Sequence, residues 1–175
     1  MTQDEFFAEV LPKHANIAEL GVFLAEFSDV ILHTNEPRVL DLVDTWPITS
    51  FTSGDVNGEN PLGISNLEAV YRRLQIKYER FANVYMHRMS SVDFLARGAQ
   101  RYQCIYIDTV HDYWTTTREL SMGAARLVSG GWLAGHDLDQ PGVQQAVEEF
   151  RKAHPIKAVL MTSERCPSYF LKLDN

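Results

Sequence analysis

Two apolar runs, YQCIYID (102–108) and WLAGHD (132–137), each finish in an aspartate and lie one helix-length segment apart. No other feature constrains the chain as tightly. Strands joined through a helix run parallel, because a crossover of that length brings the chain back in the same direction. Parallel strands end along one rim of their sheet, where α/β proteins bind small molecules. Asp108 and Asp137 should therefore be neighbours on that rim, with His111 and His136 beside them.

The remaining segments supply the rest of such a sheet. NIAEL (16–20) closed by Gly21, VLDLVD (39–44) and VYMHRM (84–89) are short apolar runs bounded by turn residues, so each reads as a strand. Helical spacing marks residues 4–11, 65–81, about 113–127 and 142–153, and also the segment after Gly21, with Phe23, Phe27, Val30 and Ile31 on its inner face. Ser65 and Glu68 form a capping-box pattern, and SSVDFLARG is a short helix capped by Ser90 or Ser91. The stretch from Trp46 to Pro61 is rich in small and turn-forming residues and reads as a loop near the strand ends. Arg72, Arg73, Lys77 and Arg80 are expected on a solvated outer face. KAVLM (157–161) and YFLKL (169–173) are joined by TSERCPS, which leaves no room for a crossover helix, so they should form an antiparallel, hairpin-like edge. The expected architecture is α/β: a doubly wound, seven-stranded, mostly parallel sheet with one antiparallel strand near the C-terminus. One domain should span residues 1–175, with 1–15 a short helical leader.

Composition narrows the function. A 175-residue chain with 45% hydrophobic residues can bury one real core, and its net charge of −7 argues against binding a phosphate backbone. The expected partner is a small-molecule substrate, with neither nucleic acid nor membrane, and self-association into a homo-oligomer is left open. No apolar run approaches the roughly 20 residues that cross a bilayer, and the acidic opening MTQDEFF is unlike a signal peptide, so the chain is expected to be cytoplasmic. Cys104 and Cys166 have neither metal-ligand nor disulfide spacing, and are expected to be unpaired thiols.

Gly21, Asp44, Met89, Ser90, Asp108, His136 and Asp137 should all gather at the carboxyl rim. Gly21 can let the backbone pass close to a ligand, and the helix after it offers free N–H groups to a carboxylate. Asp44 ends the second strand, where a carboxylate accepts hydrogen bonds from ribose hydroxyls, so a nucleoside cofactor is implied. A GxGxxG cradle for pyrophosphate is absent, which disfavours a nucleotide-dependent oxidoreductase. Asp108 and Asp137 can cap the helices that follow. His111 and His136 can act as general bases or simply bond to the neighbouring aspartates. Trp46 can stack near a ligand or pack in the core.

The segments AELGVFLA, LDLVDTW, YIDTVH, SGGWLAGHD and PGVQQAV occur in this order, and together they resemble class I S-adenosylmethionine-dependent methyltransferases, especially the small-molecule O-methyltransferase-like group. The resemblance spans almost all of residues 16–175. It implies a Rossmann-like fold and methyl transfer from S-adenosylmethionine to a small molecule, at an oxygen. It also implies that Glu19 and Gly21 contact the methionine end of the cofactor, Asp44 the ribose, Met89 and Ser90 the adenine, and Asp108 the sulfonium and the substrate. A divalent cation at Asp108 and Asp137 is implied by some relatives. Ala25 stands where the family has its second glycine, a change of one methyl, and Thr109-Val110 stands where it has glycine and a polar residue. A cofactor-binding module without catalytic activity is the alternative reading.

Overall fold

The structure, a computed structural model, describes residues 1–47 and 66–174. Its strands are β1 (Asn16–Leu20), β2 (Val39–Asp44), β3 (Val84–Arg88), β4 (Tyr102–Ile107), β5 (Leu127–Gly135), β6 (Ile156–Met161) and β7 (Tyr169–Leu173). They form one seven-stranded sheet in the order β3-β2-β1-β4-β5-β7-β6. β7 is antiparallel to both neighbours, and the other strands all run one way. The expected α/β architecture is therefore present. β7 inserts between β5 and β6, which puts β6 at the edge. Order reverses between β1 and β4, and such a switch point opens a crevice at the strand ends.

Helices cover both faces. α1 (Gln3–Glu9), α2 (Glu26–Asn35) and α3 (Leu67–Tyr78) pack on one side, around Ile17, Leu40, Tyr106 and Trp132. The other side carries α4 (Ser91–Arg97), α5 (Tyr113–Ala124) and α6 (Pro141–Ala153), around Leu20, Ile105 and Leu133. β1 is buried at every position because a central parallel strand has a helix layer on each face. The leader is part of the core: Phe6 stacks on Phe170 with ring centroids 3.8 Å apart and meets Trp132 edge-on.

Several boundaries differ from expectation, each for a local reason. α2 starts five residues after Gly21, because Phe23 and Ala25 take left-handed φ of +48° and +63° before the helix begins. Phe23 thus lies outside the helix, and its buried face is Ser28, Ile31, Leu32 and Asn35. α5 ends at Ala124 and β5 begins at Leu127, since an irregularity between Tyr102 and Cys104 lets LVSGG join the ladder. Asn66 caps α3 by accepting from the Ala69 N–H. Ser65, half of the expected capping box, and most of the 46–61 loop lie outside the described residues. Arg72, Arg73 and Arg80 are exposed as expected, whereas Lys77 turns inward to an ion pair with Asp29 of α2. Cys104 is buried, Cys166 is exposed, and both are free.

Candidate active site

A cleft of about 1030 Å³ opens at the carboxyl ends of β1, β2, β3 and β4. Glu19, Gly21, Asp44, Met89, Ser90, Asp108 and His111 all line it. The expected constellation is therefore assembled, except that His136 and Asp137 do not border the cleft among the described residues.

The floor is shaped by Gly21. Its φ of +89° is open to glycine at little cost, and a Cβ there would lie 1.7 Å from the Asp108 carbonyl oxygen. The close approach that requires glycine is thus to the end of β4, where a ligand had been expected. Beside it Glu19 is only 2% exposed and accepts a 2.5 Å hydrogen bond from the Ser28 hydroxyl. Burial pushes its carboxyl up to about 8, against the Ser28 bond that favours ionisation, while the negative charges of Asp108, Asp44 and Asp29 add to the rise.

Asp44 organises the turn after β1. Its Oδ2 accepts from the N–H groups of Val22 (3.0 Å) and Phe23 (2.9 Å), and its Oδ1 from Trp46 (2.9 Å). A carboxylate offers about four acceptor positions, so room remains on Oδ1 for a ligand hydroxyl. Trp46 is fully buried, packs on Tyr71, and donates its indole N–H to the Phe23 carbonyl, so it serves packing and not ligand stacking. Arg88 ties this turn to α3 by donating to the carbonyls of Thr45 and Trp46 and to Glu68. Nothing in the sequence pattern singled out Arg88, whose partners come from two distant segments.

At the end of β4, His111 Nε2 lies 3.1 Å from Asp108 Oδ1 and 3.2 Å from Asp137 Oδ2. The hydrogen bond to Asp108 raises its pKa first, with the charge of Asp137 adding and burial opposing. His136 Nδ1 is 3.4 Å from Asp137 Oδ1. His111 and Asp137 both hold positive φ, +56° and +53°, a backbone state that is uncommon outside glycine and tends to cluster at functional sites. Gly142 helps to hold this loop: a Cβ there would lie 2.7 Å from both the His111 carbonyl oxygen and the Tyr113 nitrogen.

Thr109 also has a defined role. Its hydroxyl donates 2.9 Å to Oε2 of Glu119, while the Ser91 hydroxyl donates to Oε1 of the same residue. Glu119 is wholly buried, and it joins the loops after β3 and β4, both of which line the cleft. Burial raises its pKa, against the two hydroxyl bonds. A glutamate in mid-helix looks solvated in sequence, so this brace was invisible there.

The donors Asp108, His111 and Asp137 lie within 4.8 Å of one another, close enough to surround a cation. Their present geometry is that of an imidazole bridging two carboxylates. The Nε2 that contacts both oxygens stands in the position of the counter-charge, and a Mg²⁺ ion, which prefers oxygen ligands at about 2.0–2.1 Å, would have to displace it. The residues fit an imidazolium better than a divalent ion.

No described helix is long and apolar enough to cross a membrane. No family model matches the chain, and no curated protein matches it by sequence. Solved structures do match. The N-methyltransferase NodS from Bradyrhizobium japonicum WM9, in complex with S-adenosyl-L-homocysteine, superposes with TM-score 0.69 at 12% identity over 99% of this chain and 85% of that one. An rRNA methylase from Streptococcus thermophilus gives 0.68 at 12% identity over 98% and 94%. An O-methyltransferase family protein from Burkholderia thailandensis gives 0.64 at 10% identity over 99% and 55%. These proteins differ in acceptor and share an architecture, so the chain has the fold of the class I S-adenosylmethionine-dependent methyltransferases.

Proposed function

We propose that this chain transfers a methyl group from S-adenosylmethionine to an oxygen of a small-molecule acceptor. The observation that carries this reading is the joining of Glu19, Gly21 and Asp44 along one wall of a cleft that opens at the switch point of this fold. The cleft's charge suits the cofactor: Glu26, Asp44, Asp93 and Asp108 face it, Glu19 can ionise beside an ammonium, and the cofactor carries an ammonium and a sulfonium. Its carboxylate would meet the start of α2, which has no side-chain cap.

When bound, S-adenosylmethionine supplies an electrophilic methyl on a positively charged sulfur. Glu19 and Gly21 would hold the methionine end, Asp44 the ribose, Met89 and Ser90 the adenine, and Asp108 the sulfonium side. His111 is the residue to accept the proton of the acceptor hydroxyl, because it lines the cleft and His136 does not. Asp108 and Asp137 would hold its ring and stabilise the imidazolium that forms. In this reading that cation replaces the divalent metal. The acidic cleft and the net charge of −7 favour a small acceptor over RNA, even though rRNA methylases share the fold.

The test is calorimetry with S-adenosylhomocysteine, followed by turnover of a labelled methyl donor on a panel of hydroxylated small molecules with and without EDTA. Binding and EDTA-insensitive turnover are expected. Binding without turnover on any acceptor identifies a module that has lost catalysis, and absence of binding overturns the cofactor assignment.

A further inference from the structure

Resting on the methyl-transfer reading, we propose that the first two turns of α5 form the acceptor subsite, and that it takes a planar aromatic small molecule bearing an anionic substituent. Arg118 is, among the described residues lining the cleft, the one permanently cationic side chain, and it makes no ion pair or hydrogen bond with another described residue. Four carboxylates besides the buried, protonated Glu19 face the same cleft: Glu26, Asp44, Asp93 and Asp108. An anionic acceptor is repelled everywhere along that wall except at this guanidinium, which therefore sets both its affinity and its orientation.

The apolar part of the subsite lies one helical turn earlier. Trp114 is 76% exposed and Val110, which lines the cleft, is 67% exposed. Trp114 and Arg118 are four residues apart and so share a helix face. Thr115 and Arg118 border the cleft, which turns that face to its mouth and leaves Trp114 on the rim. The indole meets the Tyr113 ring edge-on with centroids 5.0 Å apart, and helical side chains lean toward the N-terminus, the direction of Val110 and His111. An exposed indole with a guanidinium beside it matches a flat ring and its charged substituent. From the N-cap Asp112 to Arg118 the helix rises about 9 Å. The backward lean of the arginine shortens that to the span of one substituted ring, whose far end then reaches His111.

Trp46 is wholly buried and Trp132 nearly so, which makes fluorescence quenching a report on Trp114. The measurement is quenching of the chain saturated with S-adenosylhomocysteine by 4-hydroxybenzoate, 4-hydroxycinnamate and salicylate, against their neutral amides and a short oligoribonucleotide. Expected are tighter binding of the acids than of the amides, loss of the quench in W114F, and at least a tenfold rise in the acids' Kd in R118A with the amides and S-adenosylhomocysteine unchanged. Acids binding no better than amides, or an oligoribonucleotide binding more tightly than any acid, overturns the proposal. So does R118A weakening S-adenosylhomocysteine, because the arginine would then serve the cofactor. If the wild type fails to bind S-adenosylhomocysteine at all, the methyl-transfer reading itself has failed, which calorimetry separates from the other outcomes. Both substitutions are at exposed positions, and a melt of each variant checks that the fold is intact.

Discussion

Ser28, in the first turn of α2, donates its hydroxyl to the buried carboxyl of Glu19 at 2.5 Å, linking the helix to the strand that forms the floor of the cleft. Burial holds that carboxyl near 8, whereas in the unfolded chain it ionises near 4.5. Between those values the folded state keeps a proton that the unfolded state releases. The resulting stabilisation is complete below the unfolded value and is lost as pH rises through the folded one. Wild-type stability should therefore fall relative to Glu19→Gln from about pH 5 to pH 8 and then level off. Urea melts of both proteins across that range check this, and a constant offset between them would show Glu19 ionised throughout.

The same proton is linked to ligand binding. An ammonium group placed near Glu19 favours its ionised form. Binding of S-adenosylhomocysteine at neutral pH should release a proton in the wild type and none in Glu19→Gln. Calorimetry in two buffers of different ionisation enthalpy reads this directly, and equal observed heats in the two buffers would remove Glu19 from the methionine end.

Asp44 holds three backbone N–H groups and faces the cleft. Asp44→Ala should weaken S-adenosylhomocysteine by about 1–3 kcal/mol, the scale of a lost buried acceptor, and should also lower the melting temperature. Asp44→Asn keeps one oxygen acceptor and should lose less of both. Unaltered affinity in the alanine variant contradicts the ribose assignment.

His111 separates chemistry from binding. His111→Ala should reduce kcat by about 10²- to 10⁴-fold while leaving S-adenosylhomocysteine affinity within a few-fold. Activity should rise with pH as the imidazolium deprotonates. Asp137→Asn should move that rise to lower pH, because removing an anion destabilises the imidazolium. A pH profile that does not move in Asp137→Asn would falsify the His111 assignment.

Glycine positions test the geometry. Gly21→Ala brings a Cβ to 1.7 Å from a backbone oxygen at positive φ, and no folded protein should be recovered. Gly142→Ala should cost about 1–3 kcal/mol, the scale of overpacking, with a further loss of kcat because the strained loop carries His111. Thermal melts and steady-state kinetics of the Gly142 variant separate the two effects.

Much of the fold was legible in residue order. Short apolar runs bounded by turn residues set the strands, period-3.6 patterns set the helices, and connection length set which strands run parallel, because those are local properties of the chain. The same logic brought Gly21, Asp44, Met89, Ser90 and Asp108 to one cleft and placed His136 and Asp137 there too, although these two do not border it; Glu19 came from the resemblance alone. That logic carried no strand order, so the insertion of β7 between β5 and β6 came only with the structure, since order depends on which edges can pair and not on spacing.

What only the tertiary structure decided is which partner each polar group finds. Asp44 turns back to three amides, Thr109 and Ser91 meet on a buried glutamate, and Asp108, His111 and Asp137 join through an imidazole. Most of these contacts join distant segments, although Trp46 and His111 lie only two and three residues from Asp44 and Asp108. Their protonation follows from burial and from charges across the site, so Glu19 is neutral near pH 7 and the imidazole of His111 is biased toward its cation. By itself the sequence determined the rim on which these groups stand, because periodicity and connection length act along the chain. Distances and dielectric surroundings act across it, and they exist only once the two helix layers close on the sheet.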